Sequence, residues 1–262
     1  MTYGEAILYG AVQGVTEYLP ISSSAHLILL PKFLGTDDPG LTFDVFLHLG
    51  TLVATLLYFR REWFSIFAGV FKKPVPGSVQ WKWIGIATVP ALAAGAVFHG
   101  AVETSLRGNL VQMIALTLGG ILLWAVDRFM PIRKELRSMG VREALGIGLM
   151  QCLALIPGMS RSGMTMTGGR LCGLDRPSAA RFSFLISAPI TGAALVFELR
   201  HWRELLESAV GVGPLLCAGV SSFVFGWLAI GGLLKLLKHF GFGSFAIYRV
   251  ALAVVIYAVL GI

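Results

Sequence analysis

The sequence predicts an all-α integral membrane protein with about six transmembrane helices and two re-entrant helical hairpins, arranged as an inverted-topology internal repeat. Three observations carry this. The chain is 56% hydrophobic and only 13% charged, with mean hydropathy +0.77, against roughly 25% charged residues in a soluble domain. Six apolar runs, near residues 42–59, 83–100, 110–126, 182–199, 212–232 and 245–262, approach the roughly 20 residues that cross hydrocarbon as a helix. Two further apolar stretches are interrupted by proline and a cluster of hydroxyl residues, and they share spaced residues across the two halves of the chain.

Taken in order, the N terminus lacks a basic leader, and Glu5 stands where a signal peptide needs Lys or Arg. Met1 onward is therefore expected to be the mature chain. Residues 4–18 read as a helix too short to span, stopping at Leu19-Pro20 and followed by Ser22, Ser23 and Ser24 and a second apolar run to about Leu34. Proline interrupts a helix and serine caps the next, which gives a re-entrant hairpin over 4–34. Irregular backbone at membrane depth must be surrounded by protein or water, so the break is expected to line a cavity.

Three spans follow, and then the grammar recurs as a hairpin over 144–173, with Gln151, Pro157-Gly158 and a second hydroxyl cluster. Gly10 and Gln13 match Gly148 and Gln151 at an offset of 138, whereas Pro20 and Ser23 match Pro157 and Ser160 at 137, so the alignment takes a one-residue gap. The halves run over 1–131 and 139–262 within one membrane domain. With three spans in each, the second half inserts upside down relative to the first, and the two broken tips meet near the midplane, an arrangement used by transporters. The 32 glycines fit close helix packing in such a bundle.

Charge supports the topology. The net charge of +7 does not imply a nucleic-acid partner here, because in a membrane protein the distribution of Lys and Arg among loops is the guide. Arg60, Arg61, Lys72, Lys73, Lys82, Arg128, Arg133, Lys134, Arg137, Arg142, Lys235 and Lys238 fall on one side of alternating spans, and Lys32, Arg107, Arg200 and Arg203 on the other. The first side is expected to be cytoplasmic. Cys152, Cys172 and Cys217 have no ligand spacing, so neither a disulfide framework nor a zinc site is expected.

Chemistry concentrates in the breaks. Arg161 is a charge in apolar sequence, costly unless it faces a partner or a wet cavity, and an anion is its natural partner. Gln13 and Glu17 are four apart on one helix face, pointing toward the serine turn and His26. The second break supplies Ser160, Arg161, Ser162 and Thr165 without a carboxylate. One half thus offers acid–base or metal-binding groups and the other an anion clamp. Arg161 can also be read as the ion-pair partner of Glu17, and the serines as simple helix caps. His48 and Asp44 share a face of the first span, where support or packing is the natural role.

Gln13-Gly-Val-Thr-Glu17-Tyr-Leu-Pro20-Ile-Ser-Ser-Ser-Ala-His26 resembles the first motif of the bacterial undecaprenyl pyrophosphate phosphatases of the bacitracin-resistance type. Pro157-Gly-Met-Ser-Arg-Ser-Gly-Met-Thr165 resembles their second, and the similarity extends to Phe245-Ala-Ile-Tyr-Arg249. Ala25 replaces a glycine often found before the histidine, and Gln13 replaces a glutamate, which weakens an anionic ligand role at that position. The resemblance implies a hydrolase that removes the terminal phosphate of undecaprenyl pyrophosphate, recycling the cell-wall lipid carrier and conferring bacitracin resistance. It implies Glu17, Ser23, His26 and Arg161 as the catalytic set; read from the residues themselves, Ser22, Ser24, Ser160, Arg161, Ser162 and Thr165 are the expected phosphate ligands. It further implies a divalent cation, a homodimer, and a multi-pass location in the bacterial cytoplasmic membrane with the site open to the outer side; the candidate ligands of a Mg²⁺ or Ca²⁺ ion are Glu17 and Gln13.

The bottom-up chemistry agrees with a phosphatase and leaves the nucleophile open between water and Ser23. Arginine binds phosphate bidentately as lysine cannot, and phosphoryl transfer is mostly positioning and charge stabilisation. Glu17 can hold a cation or act as a base, and His26 can shuttle the proton. The rival reading is a lipid-phosphate flippase using the same midplane anion site, which needs the arginine but neither nucleophile nor base. Acid-phosphatase-like lipid phosphatases fit less well, since the next histidine after Arg161 is His201. A purely structural scaffold predicts that Arg161→Met is tolerated.

Overall fold

The computed structural model describes residues 1–71, 79–105, 108–203 and 210–260, and among these the chain is α-helical with no strand beyond one isolated bridge between Lys134 and Leu174. The helices are α1 (Tyr3–Tyr18), α2 (Ser23–Leu34), α3 (Leu41–Tyr58), α4 (Arg60–Phe71), α5 (Trp81–Ser105), α6 (Asn109–Phe129), α7 (Val141–Cys152), α8 (Arg161–Leu171), α9 (Arg176–Glu198), α10 (Val212–Leu236) and α11 (Gly243–Leu260). Five of them, α3, α5, α6, α9 and α10, are long and apolar enough to cross a membrane, and the apolar part of α11 is shorter, at Gly243–Val259. The stretch after the first span, read from sequence as a basic loop, begins with a helix, α4. Lys72, Lys73, Arg107, Gly261 and Ile262 lie outside the described residues.

The hairpins form because their half-helices are capped at one end and broken at the other. Thr2 Oγ1 accepts from Glu5 N at 3.2 Å while Glu5 Oε2 accepts from Thr2 N at 2.7 Å, a reciprocal cap that starts α1. Before α7, Glu143 Oε2 accepts from Gly140 N at 2.8 Å. At the inner ends α1 stops at Tyr18 and α7 at Cys152, and the chain turns through Ser22 and Ser160 before the second half-helices begin. Those two serines, at φ 74° and 69°, are the only non-glycine residues with positive φ among the described residues. Such a backbone costs about 1–3 kcal/mol each and persists where surrounding contacts over-determine it.

Ser22 and Ser160 lie 138 apart, the same offset as Gly10/Gly148 and Gln13/Gln151. Ser160 therefore matches Ser22 in backbone conformation and not Ser23, and Ser23 and Arg161 are the first residues of α2 and α8.

The halves interdigitate. α1 packs along α10 so closely that a Cβ on Gly10 would stand 2.2 Å from Ala218 O, and one on Gly14 2.6 Å from Ser222 O. α7 packs on α5 in the same manner, where a Cβ on Gly148 would meet Ala87 O at 2.8 Å. Each hairpin thus leans on a span of the other half.

Two buried arginines hold this arrangement. Arg249 of α11 is fully buried and donates to the main-chain carbonyls of Leu116 (3.0 Å), Ala115 (3.2 Å), Gly158 (3.0 Å), Met159 (3.0 Å) and Pro20 (3.5 Å). It ties the second break to α6. Arg170 at the end of α8 donates to Asp127 Oδ1 at 3.1 Å, and Arg176 donates to the same oxygen at 2.7 Å, while Asp127 Oδ2 accepts from Phe242 N at 3.0 Å. One carboxylate thereby gathers the ends of α6 and α8 and the starts of α9 and α11.

Candidate active site

The two breaks face one cavity of about 160 Å³, lined by Thr16, Glu17, Ser22, Ser23 and Ser24 from the first hairpin, by Ala154, Ile156, Gly158, Ser160, Arg161 and Ser162 from the second, and by His48 of α3. Glu17 is its hub. Its Oε1 accepts from Arg161 Nη2 at 2.6 Å, bridging two residues 144 apart in sequence. Its Oε2 accepts from Ser23 Oγ at 2.9 Å and from Gln13 Nε2 at 3.1 Å, and lies 3.3 Å from His48 Nε2. The carboxylate is 8% exposed and the guanidinium side chain 15%, so both are largely withdrawn from solvent yet reachable through the cavity.

Helix geometry puts these groups there. The i,i+4 spacing brings Gln13 onto Glu17 along α1. The reversal at Ser22 returns Ser23 to the same carboxylate. Arg161 is braced on its other side by donating from Nη1 to Ser183 O at 3.2 Å, so α9 sets the height of its fork. Ser162 Oγ donates to Leu19 O at 3.0 Å, which stitches one tip to the other.

The two half-helix N-termini also meet the cavity. α8 is capped by Ser160 Oγ, which accepts from Gly163 N at 3.1 Å, whereas Ser22 makes no such bond to α2. The first-turn N–H groups of α2 therefore lack a side-chain cap beside three serine hydroxyls, which is an arrangement suited to an anion.

Of the residues singled out in the sequence, Glu17, Ser22, Ser23, Ser24, Ser160, Arg161 and Ser162 line this cavity. Gln13 is fully buried behind Glu17. Thr165 is fully buried one turn into α8 and shares a hydrogen bond of 2.6 Å with Ser183 Oγ, so it supports α8 and does not reach the cavity. His26 is turned away: Nδ1–H donates to Ser22 O at 2.7 Å, and Nε2 accepts from the Tyr248 hydroxyl at 2.7 Å.

His48, read from sequence as a supporting residue, touches Glu17 directly, with Nδ1–H donating to Asp44 O at 2.9 Å. The signal for it is weak, since only the tertiary crossing of α1 and α3 brings it near. Arg249 and Asp127 were not singled out as ion or carbonyl clamps, although each is a charge in an apolar run.

A cation at Glu17 is testable against the donors present. Among the described residues no three His, Cys, Asp or Glu side chains cluster to form an all-protein cage. Gln13 Oε1, however, is a buried acceptor without a hydrogen-bond partner. One carboxylate with one free amide oxygen fits a hard cation that completes its shell with substrate phosphate oxygens and water, the usual habit of Mg²⁺.

Comparison with known proteins places this geometry in a family. The family described as bacitracin resistance protein BacA matches residues 6–255. A protein of Gemmatimonas aurantiaca named undecaprenyl-diphosphatase is 45% identical over 266 residues, covering 99% of this chain and 98% of its own length. Similarly named proteins of Moorella thermoacetica and Idiomarina loihiensis are 44% and 40% identical, over 99% and 98% of this chain and 98% of each of theirs. With two broken hairpins meeting at one carboxylate–guanidinium cavity and similarity along nearly its whole length, this chain belongs to the bacitracin resistance protein BacA family.

Proposed function

We propose that this chain is an undecaprenyl-diphosphatase that hydrolyses undecaprenyl diphosphate to undecaprenyl phosphate and inorganic phosphate. The observation that carries the reading is the Ser23–Glu17–Arg161 constellation: a hydroxyl donating to a carboxylate at 2.9 Å, with a phosphate-binding fork on the other oxygen at 2.6 Å. A hydroxyl within hydrogen-bond reach of an oriented base is the signature of an activated nucleophile. A flippase needs the fork but has no use for that pair.

In this mechanism the terminal phosphoryl group sits among Arg161, the serine hydroxyls and the N-terminus of α2, which share its charge. Ser23 Oγ attacks the terminal phosphorus as Glu17 Oε2 takes its proton. The bond from phosphorus to the bridging oxygen breaks, and undecaprenyl phosphate leaves, its released oxygen taking the proton from Glu17. Water then attacks the phosphoserine, giving one proton to Glu17, the bond from phosphorus to Ser23 Oγ breaks, and Glu17 passes that proton to Ser23 Oγ as inorganic phosphate departs. Arg161 exchanges its contact with Glu17 for one with phosphate as substrate enters, which frees the carboxylate for proton transfer. Glu17 and Gln13 Oε1 would hold a Mg²⁺ or Ca²⁺ ion, which when bound supplies further neutralisation of the diphosphate charge.

Rapid quenching with substrate labelled in its terminal phosphate tests the nucleophile. Label on Ser23, lost in Ser23→Ala, is expected; turnover in the wild type without covalent label overturns the phosphoserine step and leaves direct attack by water. Chelation by EDTA is expected to lower phosphate release, with recovery on adding Mg²⁺ or Ca²⁺.

Location in the bacterial cytoplasmic membrane with the cavity open to the outer side belongs to the same proposal, as does inverted insertion of the two halves. Its support is that Arg61, after the first span, and Arg137, of the central segment, line one cavity of about 480 Å³ and so share a face, the basic and hence cytoplasmic one. The homodimer is likewise proposed, and sedimentation of the purified protein in detergent checks it.

A further inference from the structure

A second, apolar groove adjoins the catalytic cavity and has no part in the chemistry above. It measures about 610 Å³ and runs between α1, α10 and α11, with Val15, Leu19, Phe225 and Phe245 among its walls. Thr16 lines both this groove and the catalytic cavity. The remaining partition is thin: His26 lies on the groove side while bonded to the carbonyl of Ser22, whose residue lines the cavity. The His26 and Tyr248 rings lie parallel, 5.6 Å apart, and their hydrogen bond of 2.7 Å closes the rim.

We propose that this groove holds the isoprenoid segment next to the diphosphate, with the His26–Tyr248 pair marking where chain gives way to headgroup. The proposal rests on the phosphatase reading and adds to it the path of the lipid. Continuity selects this groove over the alternative. A comparable apolar groove of about 450 Å³ between α3 and α9 shares no lining residue with the catalytic cavity.

The groove gains no transfer energy for the chain, because lipid tails are as apolar as its walls. Its contribution is orientation, since fixing where the chain leaves fixes where the terminal phosphorus stands relative to Ser23. The long remainder of the chain stays in the bilayer.

The test is photocrosslinking on the unmodified protein in nanodiscs. A diphosphate of a short isoprenoid alcohol carrying a benzophenone at its far end is irradiated, and labelled peptides are identified by mass spectrometry. Label at Val15, Phe225 or Phe245, competed by undecaprenyl diphosphate, is expected. Label on the α3–α9 groove at Phe46 or Leu195, scattered over lipid-facing helices, or absent, overturns the proposal.

Val15→Trp, which fills the groove, is expected to lower kcat for undecaprenyl diphosphate about tenfold with KM kept within about twofold, whereas Leu118→Trp on an exposed face of α6 leaves both unchanged. Equal effects of the two tryptophans also overturn it. If the wild type releases phosphate while the label falls elsewhere, the groove assignment fails and the phosphatase reading stands. If the wild type releases none, that reading fails and takes the groove with it.

Discussion

The ion pair between Glu17 and Arg161 permits a quantitative test through a double-mutant cycle with Glu17→Met, Arg161→Met and the double variant. Removing one partner of a buried pair costs about 3–5 kcal/mol, because the other charge is left uncompensated. The two sides are unequal here. Without Arg161 the carboxylate keeps Ser23, Gln13 and the neighbouring His48, so Arg161→Met should cost less, about 1–3 kcal/mol. Without Glu17 the guanidinium keeps the Ser183 carbonyl as its hydrogen-bond partner, so Glu17→Met should approach the full penalty.

The double variant removes both charges and should cost less than the sum of the singles by about 1–3 kcal/mol. At roughly 2–4 °C per kcal/mol for a chain of this size, that coupling is several degrees in thermal unfolding of the detergent-solubilised protein. Phosphate release should fall by about 10²–10³ in all three variants alike, since groups acting as a unit are not additive in activity. Single losses that add to within about 0.5 kcal/mol would refute the pairing, and a double variant with near-wild-type turnover would refute the site.

Other outcomes follow from the packing. Arg249→Met strips the donor from five main-chain carbonyls and should lower stability by at least about 3 kcal/mol, and Arg249→Lys should fail to restore it because one ammonium cannot span that set; thermal unfolding reads both, and an unchanged midpoint for Arg249→Met contradicts the clamp. Gly14→Ala forces a methyl to 2.6 Å from Ser222 O, whereas at Gly4 nothing lies within 4 Å. The first should destabilise by about 1–3 kcal/mol and Gly4→Ala should be neutral, so a scan in which they behave alike would show that α1 does not pack on α10 as described.

Much of the site was legible in the chain because hairpin breaks are written in local chemistry. Proline, glycine and serine clusters mark where a helix must stop, and the i,i+4 step from Gln13 to Glu17 places both on one face before any tertiary contact exists. Spaced residues common to the two breaks are visible in the sequence as well, but the serine match shifts: Pro20 and Pro157 differ by 137, as do Ser23 and Ser160, while the positive-φ serines that turn the chain, Ser22 and Ser160, differ by 138. It is the turning residue, and not the helix breaker before it, that shares its backbone conformation between the two breaks. α4 was missed because a helix opening on Arg60 and Arg61 reads as loop when basic residues serve to assign sidedness.

Apolarity, the six runs and the two polar breaks were thus determined by sequence alone, because the cost of placing charge and free backbone in hydrocarbon depends on composition and order along the chain. Tertiary structure decided which polar groups meet. It brought Arg161 to Glu17 across 144 residues, added His48 from α3, turned His26 toward Tyr248, and spent Arg170 and Arg249 on holding helices together. A buried arginine in a sequence states only that a partner exists. Whether that partner is a carboxylate in a cavity, an aspartate at a helix end or a ring of carbonyls depends on how the helices cross, which glycines at Gly10, Gly14 and Gly148 set by letting backbones approach.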